Sequence, residues 1–262
     1  MNDSLYVLGV RIDRFGANEV IERIESLIEA GGPHHVVTVN PEFVVMAQSN
    51  PEFKKILLAA DLALPDGVGL LWAARFVGRP LQGRVTGVDT VDRLASLCAC
   101  SGYRPFLLGG LAGVAEHTAA ALQAKYPGLS IAGTYAGSPG LAEEETIVDR
   151  IRAAQPHILF VAYGAPQQDV WIYRNLPKLG DVVAMGVGGA FDFLSGRVKR
   201  APAWMQNAGL EWLYRLMREP WRWRRMLRLP KFVWLVARSQ RQLTGKNRPR
   251  AEFDKGDPET YT

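Results

Sequence analysis

The stretch VVAMGVGGAFD, residues 182–192, decides the fold. A short apolar run rich in valine breaks off into Gly186, Gly188 and Gly189, the pattern of a buried strand that delivers a glycine-rich loop. Two other apolar runs end in the same way: Leu108 is followed by GGLAG and Ala162 by YGAPQQD. In open α/β sheets, ligands bind outside the carboxyl ends of the strands, where glycine lets the backbone approach a phosphate and helix N-termini offer unpaired N–H groups. Three such loops on one edge fit a diphosphate ligand held along Gly109, Gly110, Gly186, Gly188 and Gly189. Taken singly, each loop also reads as an ordinary tight turn.

Outward from these loops, β-branched runs at 5–10, 35–39, 105–108, 130–134, 158–162 and 182–186 alternate with helical patterns. The alternation predicts a Rossmann-like α/β domain over residues 1–195, a parallel sheet flanked by helices. In NEVIERIESLIEA, Val20, Ile21, Ile24, Leu27 and Ile28 keep helical spacing behind a cap at Asn18. EEETIVDRIRAAQ opens with three acids, where the helix dipole favours negative charge.

With 262 residues, 48% hydrophobic and 22% charged, the chain has the composition of a soluble globular protein of one large domain with an appendage. No uninterrupted apolar run reaches about eighteen residues, and MNDSLYVLGVRID lacks the basic start and long apolar core of a secretion signal, so the expected location is the cytoplasm. Cys98 and Cys100, one residue apart in a helical stretch, have poor disulfide geometry and make half a zinc site; both are expected to be buried, reduced thiols. The four histidines show no ligand spacing and no Asp-x-Asp pair follows a strand, so neither a metal nor another cofactor is expected. A Ser–His–Asp signature, a Gly-x-Ser-x-Gly elbow and a Walker loop are missing, and GGLAG imitates a dinucleotide fingerprint only in part, which argues against a dehydrogenase.

Three polar groups stand at strand ends or turns. In TVN, Thr38 and Asn40 point to one side if the strand runs through them, where they could bind a sugar or phosphate; alternatively Asn40 caps a helix that begins at Pro41. In LPDG, Asp66 sits in a tight turn within apolar surroundings, as a base for an attacking hydroxyl or as an Asx-turn. In RVTG, Arg84 lies ahead of a helix, able to hold a phosphate or carboxylate with its fork of donors, or simply solvated.

The net charge of +5 hides an asymmetry: residues 197–250 hold 15 Lys or Arg against Glu211 and Glu219, a charge of +13 that leaves −8 elsewhere. Five of the seven tryptophans, Trp204, Trp212, Trp221, Trp223 and Trp234, fall in the same segment, which Pro220 and Pro230 divide into short helices. Arg222, Arg225 and Arg228 recur every three residues, near one face. Basic helices with Trp and Leu lie in a membrane interface, so residues 196–244 are expected to be a helical membrane-binding appendage on an anionic surface. A nucleic acid is the competing anion, disfavoured by the load of indole and apolar surface. Residues 245–262, polar and without periodicity, read as a disordered tail.

TVN, PDG, RVTG, LLGG, GAPQQD, GVGGAFDFLSG, RAPAWMQNAGLEWLYRLMREP and the Arg/Trp segment together resemble the WecG/TagA/CpsF glycosyltransferases over about residues 5–240. The resemblance implies transfer of N-acetylmannosamine, its uronate or a related hexose from a UDP-sugar donor to an undecaprenyl-diphosphate-linked sugar, in cell-surface polysaccharide or teichoic acid assembly. It implies Asp66 as catalytic base, Thr38 and Asn40 in the active-site lining, and Arg84 and Gln168 as substrate-positioning groups. Asp192 would lie near the uracil, and Arg215, Arg222 and Arg225 would close over the pocket to meet donor or acceptor phosphates. The implied mechanism is inverting and metal-independent, the location is the inner face of the cell membrane, and self-association into a homo-oligomer is in keeping with the family. The chain departs from the family at Asp169, where relatives often carry the longer Glu. A non-catalytic membrane-associated nucleotide-sugar-binding protein and a nucleic-acid-binding protein are the rival readings.

Overall fold

The computed structural model describes residues 4–220 and 223–245. The sequence predicts one sheet strand over 5–10, but Leu8 and Gly9, with φ of 51° and 73°, turn the chain there. The result is an antiparallel hairpin of β1 (Ser4–Val7) and β2 (Val10–Asp13), separate from the main sheet. That sheet contains β3 (Pro33–Val39), β4 (Leu62–Pro65), β5 (Pro105–Gly109), β6 (Gly133–Tyr135), β7 (Ile158–Ala162) and β8 (Val182–Gly186). Its order is β4-β3-β8-β7-β5-β6, and every pairing is parallel. Two details differ from expectation. Strand β4 is hidden in the sequence because LALP continues the apolar run of the preceding helix without a Gly or Pro between them. The strand expected at 130–134 is displaced to β6, whose pairing with β5 starts where the Phe106 ring lies over Gly133.

Nine helices lie along this part of the chain: α1 (Ala17–Ala30), α2 (Pro41–Ser49), α3 (Pro51–Ala59), α4 (Val68–Phe76), α5 (Gly87–Ser101), α6 (Val114–Lys125), α7 (Glu144–Ala154), α8 (Gln167–Asn175) and α9 (Ala190–Leu194). Strand side chains alternate between the two faces. Val36, Phe160, Val183 and Met185 meet α1, α5, α6 and α9 on one face. On the other, Val37, Val39 and Ala63 meet α2, α3, α4 and the hairpin, while Leu159, Val161 and Ala184 meet α7 and α8. Burial on both faces explains why these strands read as unbroken apolar runs. Gly16, not Asn18, occupies the cap position of α1, and Asn18 instead accepts a hydrogen bond from Arg93 at 2.7 Å. Cys98 is buried and its thiol pushed up to about 12 by desolvation, whereas Cys100 is exposed, contrary to expectation.

The basic segment forms α10 (Ala203–Asn207), α11 (Glu211–Arg218), α12 (Trp223–Met226) and α13 (Arg228–Gly245). Pro230 sits in the first turn of α13, as expected, but the helix runs on for 18 residues. Phe232 and Val236 bury themselves against α2 and its neighbours, and Arg228 pairs with Glu42. Trp221, Arg222 and the tail over 246–262 lie outside the described residues, as does the side chain of Arg225. Among the described residues, no helix is long and apolar enough to cross a membrane.

Candidate active site

Two backbone hydrogen bonds hold the PDG turn at the carboxyl edge of the sheet. Asp66 N–H donates to Val39 O at 2.7 Å, and Val85 N–H donates to Pro65 O at 2.8 Å, so the ends of β3 and β4 and the RVTG loop converge. Gly67, with φ of 97°, then starts α4 in a conformation that disfavours a side chain. The Asp66 carboxyl forms no hydrogen bond among the described residues, so the Asx-turn alternative is not what shapes this loop.

Around Asp66 stands a chain of ion pairs. Arg84 Nη1 lies 3.1 Å from Glu211 Oε2, whose other oxygen accepts from Arg200 Nε at 2.9 Å. Arg200 also grips both oxygens of Asp89, at 2.5 and 3.0 Å, and Asp89 accepts from Thr86 Oγ1 at 2.6 Å. Burial would raise the Asp89 carboxyl, but hydrogen bonds from Arg200 and Thr86 outweigh it and hold the group below its usual range. Asp66 has no such compensation. Desolvation raises it most, Arg84 and Arg200 pull it down, Glu211 and Asp89 push it up, and the balance lies at about 7. A carboxylate poised near neutrality and free of hydrogen bonds can take a proton from a hydroxyl.

Thr38 and Asn40 have other work. Thr38 Oγ1 donates to Gly186 O at 3.1 Å, tying β3 to the GVGG loop, and Asn40 Oδ1 accepts from Phe43 N–H at 3.0 Å as the cap of α2. Gln168, fully buried in the first turn of α8, accepts from Gly188 N–H at 2.9 Å. A Cβ on Gly186 would come 2.5 Å from Gln168 Nε2 and 2.7 Å from Asp169 Oδ1, so a side chain there would displace both buried groups. Asp169 is itself buried, its Oδ1 3.6 Å from His35 Nε2, and neither of its oxygens is hydrogen-bonded. Gly87 packs on Val187, which joins the Asp66 loops to the GVGG loop.

Beyond GVGG lies a cleft of about 360 Å³ between the ends of β5, β7 and β8. Gly110, Gly188, Asp192, Arg197 and Tyr163 line it. Gly109 ends β5 just beneath, packed on Ala162. Asp192 pairs with Arg197 at 3.3 Å. The Tyr163 hydroxyl is buried without a hydrogen-bond partner among the described residues, and burial, then Glu143 and Tyr135, push it well above the usual phenol range. Arg215 overhangs the loop: a Cβ on Gly189 would come 2.6 Å from its Nη2. The guanidinium stacks on Phe193 at 5.0 Å and pairs through Nε with Glu219 at 2.9 Å, but the buried Nη2 makes no hydrogen bond among the described residues. An unpaired buried donor beside a glycine loop suits an anionic oxygen.

The structure thus gathers Asp66, Arg84, Thr38, Asn40, Gln168, Asp192, Arg215 and the glycines on one edge. The sequence did not single out Thr86, Asp89, Arg200, Glu211, His35 or Tyr163. Glu211 carried a usable signal as one of two acids in a +13 segment, and Tyr163 as the residue that opens YGAPQQD.

The model of the glycosyl transferase WecG/TagA/CpsF family matches residues 5–246. The N-acetylglucosaminyldiphosphoundecaprenol N-acetyl-beta-D-mannosaminyltransferase of Bacillus spizizenii is 38% identical over 206 residues, 79% of each chain. Its namesake in Bacillus subtilis is 36% identical over 207 residues, 79% of this chain and 80% of its own. That of Staphylococcus aureus strain MW2 is 30% identical over 239 residues, covering 90% of this chain and 93% of its own. Read with the sheet-edge site, these matches make the chain a glycosyltransferase that belongs to the WecG/TagA/CpsF family.

Proposed function

We propose that the protein transfers N-acetylmannosamine, or its uronate or a related hexose, from a UDP-sugar to an undecaprenyl-diphosphate-linked sugar, with inversion and without a metal ion. The acceptor is the one the relatives are named for. Asp66 takes the proton of the acceptor hydroxyl as its oxygen bonds to the anomeric carbon. The bond from that carbon to UDP breaks, and its electron pair leaves on the diphosphate. The observation that carries this reading is the Asp66 carboxyl, raised to about 7 and free of hydrogen bonds at the glycine-lined edge.

The family resemblance suggests the remaining roles, and position is compatible with them. Arg84, held by Glu211, meets the acceptor side; Thr38, Asn40 and Gln168 keep the loops in place; the cleft at Gly110, Gly188 and Asp192 takes the nucleotide, with Asp192 toward uracil. Arg215 Nη2 answers the charge that develops on the leaving diphosphate, the part a metal would otherwise play. Arg222 and Arg225 would extend that cation cluster. Residues 1–195 act as the catalytic domain and 196–244 as an appendage that seats the enzyme on the anionic inner face of the membrane. Exposed Trp204, Trp212, Trp223 and Trp234 favour that seat.

A donor screen tests the proposal: purified protein, a panel of UDP-sugars and a short-chain lipid-diphosphate-GlcNAc acceptor, read by mass spectrometry. One added N-acetylhexosamine from UDP-N-acetylmannosamine, undiminished in EDTA, is expected. No product from any donor defeats the transfer, and strict dependence on added Mg²⁺ or Mn²⁺ defeats the metal-free mechanism.

A further inference from the structure

Helix α4 starts two residues after Asp66 and has two unlike faces. Leu70, Ala73 and Ala74 are buried against the sheet, while Val68, Trp72 and Phe76 are 37, 39 and 47% exposed. Spacing of four residues aligns these three in one stripe. The rings of Trp72 and Phe76 stack, with centroids 5.2 Å apart and planes 15° from parallel. Solvent exposure of a stacked indole and phenyl is costly, because the two-fifths to half of their surface left open gains nothing until something covers it.

The stripe begins where the appendage docks. A Cβ on Gly209, just before α11, would overlap Val68, and one on Gly69 would meet the Phe232 ring of α13 at 3.7 Å. From there it leads away from Asp66 for the length of α4, ~13 Å at 1.5 Å per residue. Arg75 and Arg79, both exposed, bound its far end.

We infer that Val68, Trp72 and Phe76 form a track for the polyprenyl chain of the acceptor, which lies along α4 while its diphosphate and sugar reach Asp66. The inference rests on the lipid-linked acceptor of the proposed function. Three observations favour this occupant. The stripe starts at the proposed base, so an apolar ligand seated there is within reach of the reacting centre. On α4 its exposed apolar residues fall in a single row, the shape of one hydrocarbon chain rather than of a bilayer face. Three side chains supply far less than the ~1,000 Å² that a specific protein partner or second copy requires. Aromatic side chains with few rotatable bonds also bind with little loss of conformational entropy.

The test compares the full chain with Trp72→Ala/Phe76→Ala, substitutions that keep α4 intact because alanine is the best helix former and both positions are exposed. Polyprenyl diphosphates of increasing chain length, without sugar, are titrated against tryptophan fluorescence, and KM is measured for GlcNAc-diphosphate acceptors of the same lengths. In the wild type both affinities rise with chain length; in the variant that dependence collapses, with about a tenfold loss for the longest chain. The UDP-sugar KM stays as it was. Retained chain-length dependence in the variant overturns the inference. So does a matching loss of sedimentation with acceptor-free anionic vesicles, which assigns the rings to bulk lipid, or a change in mass by light scattering, which makes them a self-association surface. If no donor gives turnover, the transfer reading fails by itself, and the fluorescence titration still decides the track.

Discussion

The two edges of the parallel sheet differ in a way that volume does not capture. At the amino edge, a groove of about 610 Å³ is lined by Gly31, Gly32, Arg152, Gln155, His157 and Asp181, and it is the larger of the two. Several of its polar atoms already have protein partners: Asp181 accepts from Gly32 N–H at 2.9 Å, His157 Nδ1 from Arg104 N–H at 3.1 Å, and Gln155 O from Arg104 Nη2 at 2.9 Å. At the carboxyl edge the cleft is smaller, yet Tyr163 and Arg215 keep unpaired buried atoms and Asp66 is desolvated without a hydrogen bond. Unmet polarity, held at a cost in folding free energy, distinguishes a built site from a surface dent.

The comparison breaks first if Asp66 is dispensable. Asp66→Asn is expected to lower kcat by about 10²–10⁴-fold, the usual worth of a general base. Wild-type kcat should rise with pH through about 7 as the base ionises, and that limb should vanish in the variant. Stability moves the other way. A carboxyl whose folded value is about 7 against 3.8 unfolded costs the fold most above pH 7; the cost shrinks as pH falls from 7 and is gone below 3.8. Asp66→Asn should therefore gain a few kcal/mol over the wild type in denaturant melts at pH 8 relative to pH 4.

Next in size is the ion-pair chain that sets this value. Arg84→Gln removes the strongest pull downward and should move the kcat limb above 7; Glu211→Gln removes a push upward and should move it below. Both should lose turnover, by about tenfold or more, because each breaks the Arg84–Glu211 pair: Glu211→Gln strips Arg84 of that partner, and Arg84→Gln leaves Glu211 with Arg200 alone. Shifts in the same direction for the two variants would show that the chain acts only as scaffolding.

Those residues also mark the limits of the sequence. The parallel sheet was legible because strands buried on both faces write themselves as apolar runs ending in glycine, and LLGG, VAYG and AMGVGG are such endings. Asp66 and Arg84 were singled out in short motifs, and Gln168 only through the family resemblance. The Asp66 environment was not, since Glu211 and Arg200 reach it from more than a hundred residues away through the docking of α11. Strand β4 was lost because α3 and LALP share one apolar stretch, and the hairpin because Leu8 adopts a positive φ that leucine rarely takes. Asn40 shows the opposite case: the capping role, visible in N-P-E, is the one its side chain performs.

A smaller effect is expected at the nucleotide cleft. Tyr163→Phe removes one neutral hydrogen-bonding group that the cleft leaves unsatisfied, so the UDP-sugar KM should rise by up to about tenfold with kcat nearly unchanged. The phenol is the more telling because the ring itself, packed edge-on against Trp171 at 6.2 Å, keeps its place in the variant.

The smallest effect belongs to the amino edge, and there the comparison can be reversed. Arg152 is exposed on α7 at the rim of the larger groove, and Asp181 caps a single backbone amide. Arg152→Ala should change stability by less than about 0.5 kcal/mol and leave the UDP-sugar KM untouched, because it removes no buried partner. Asp181→Ala frees the Gly32 amide to water at about 1 kcal/mol, again without a kinetic effect. Hydrogen exchange with saturating UDP should slow at Gly110, Tyr163 and Gly188 and leave residues 152–157 unchanged. Protection at 152–157, or a raised KM in either variant, would mean that the larger groove takes ligand and that satisfied polarity does not mark a surface as inert.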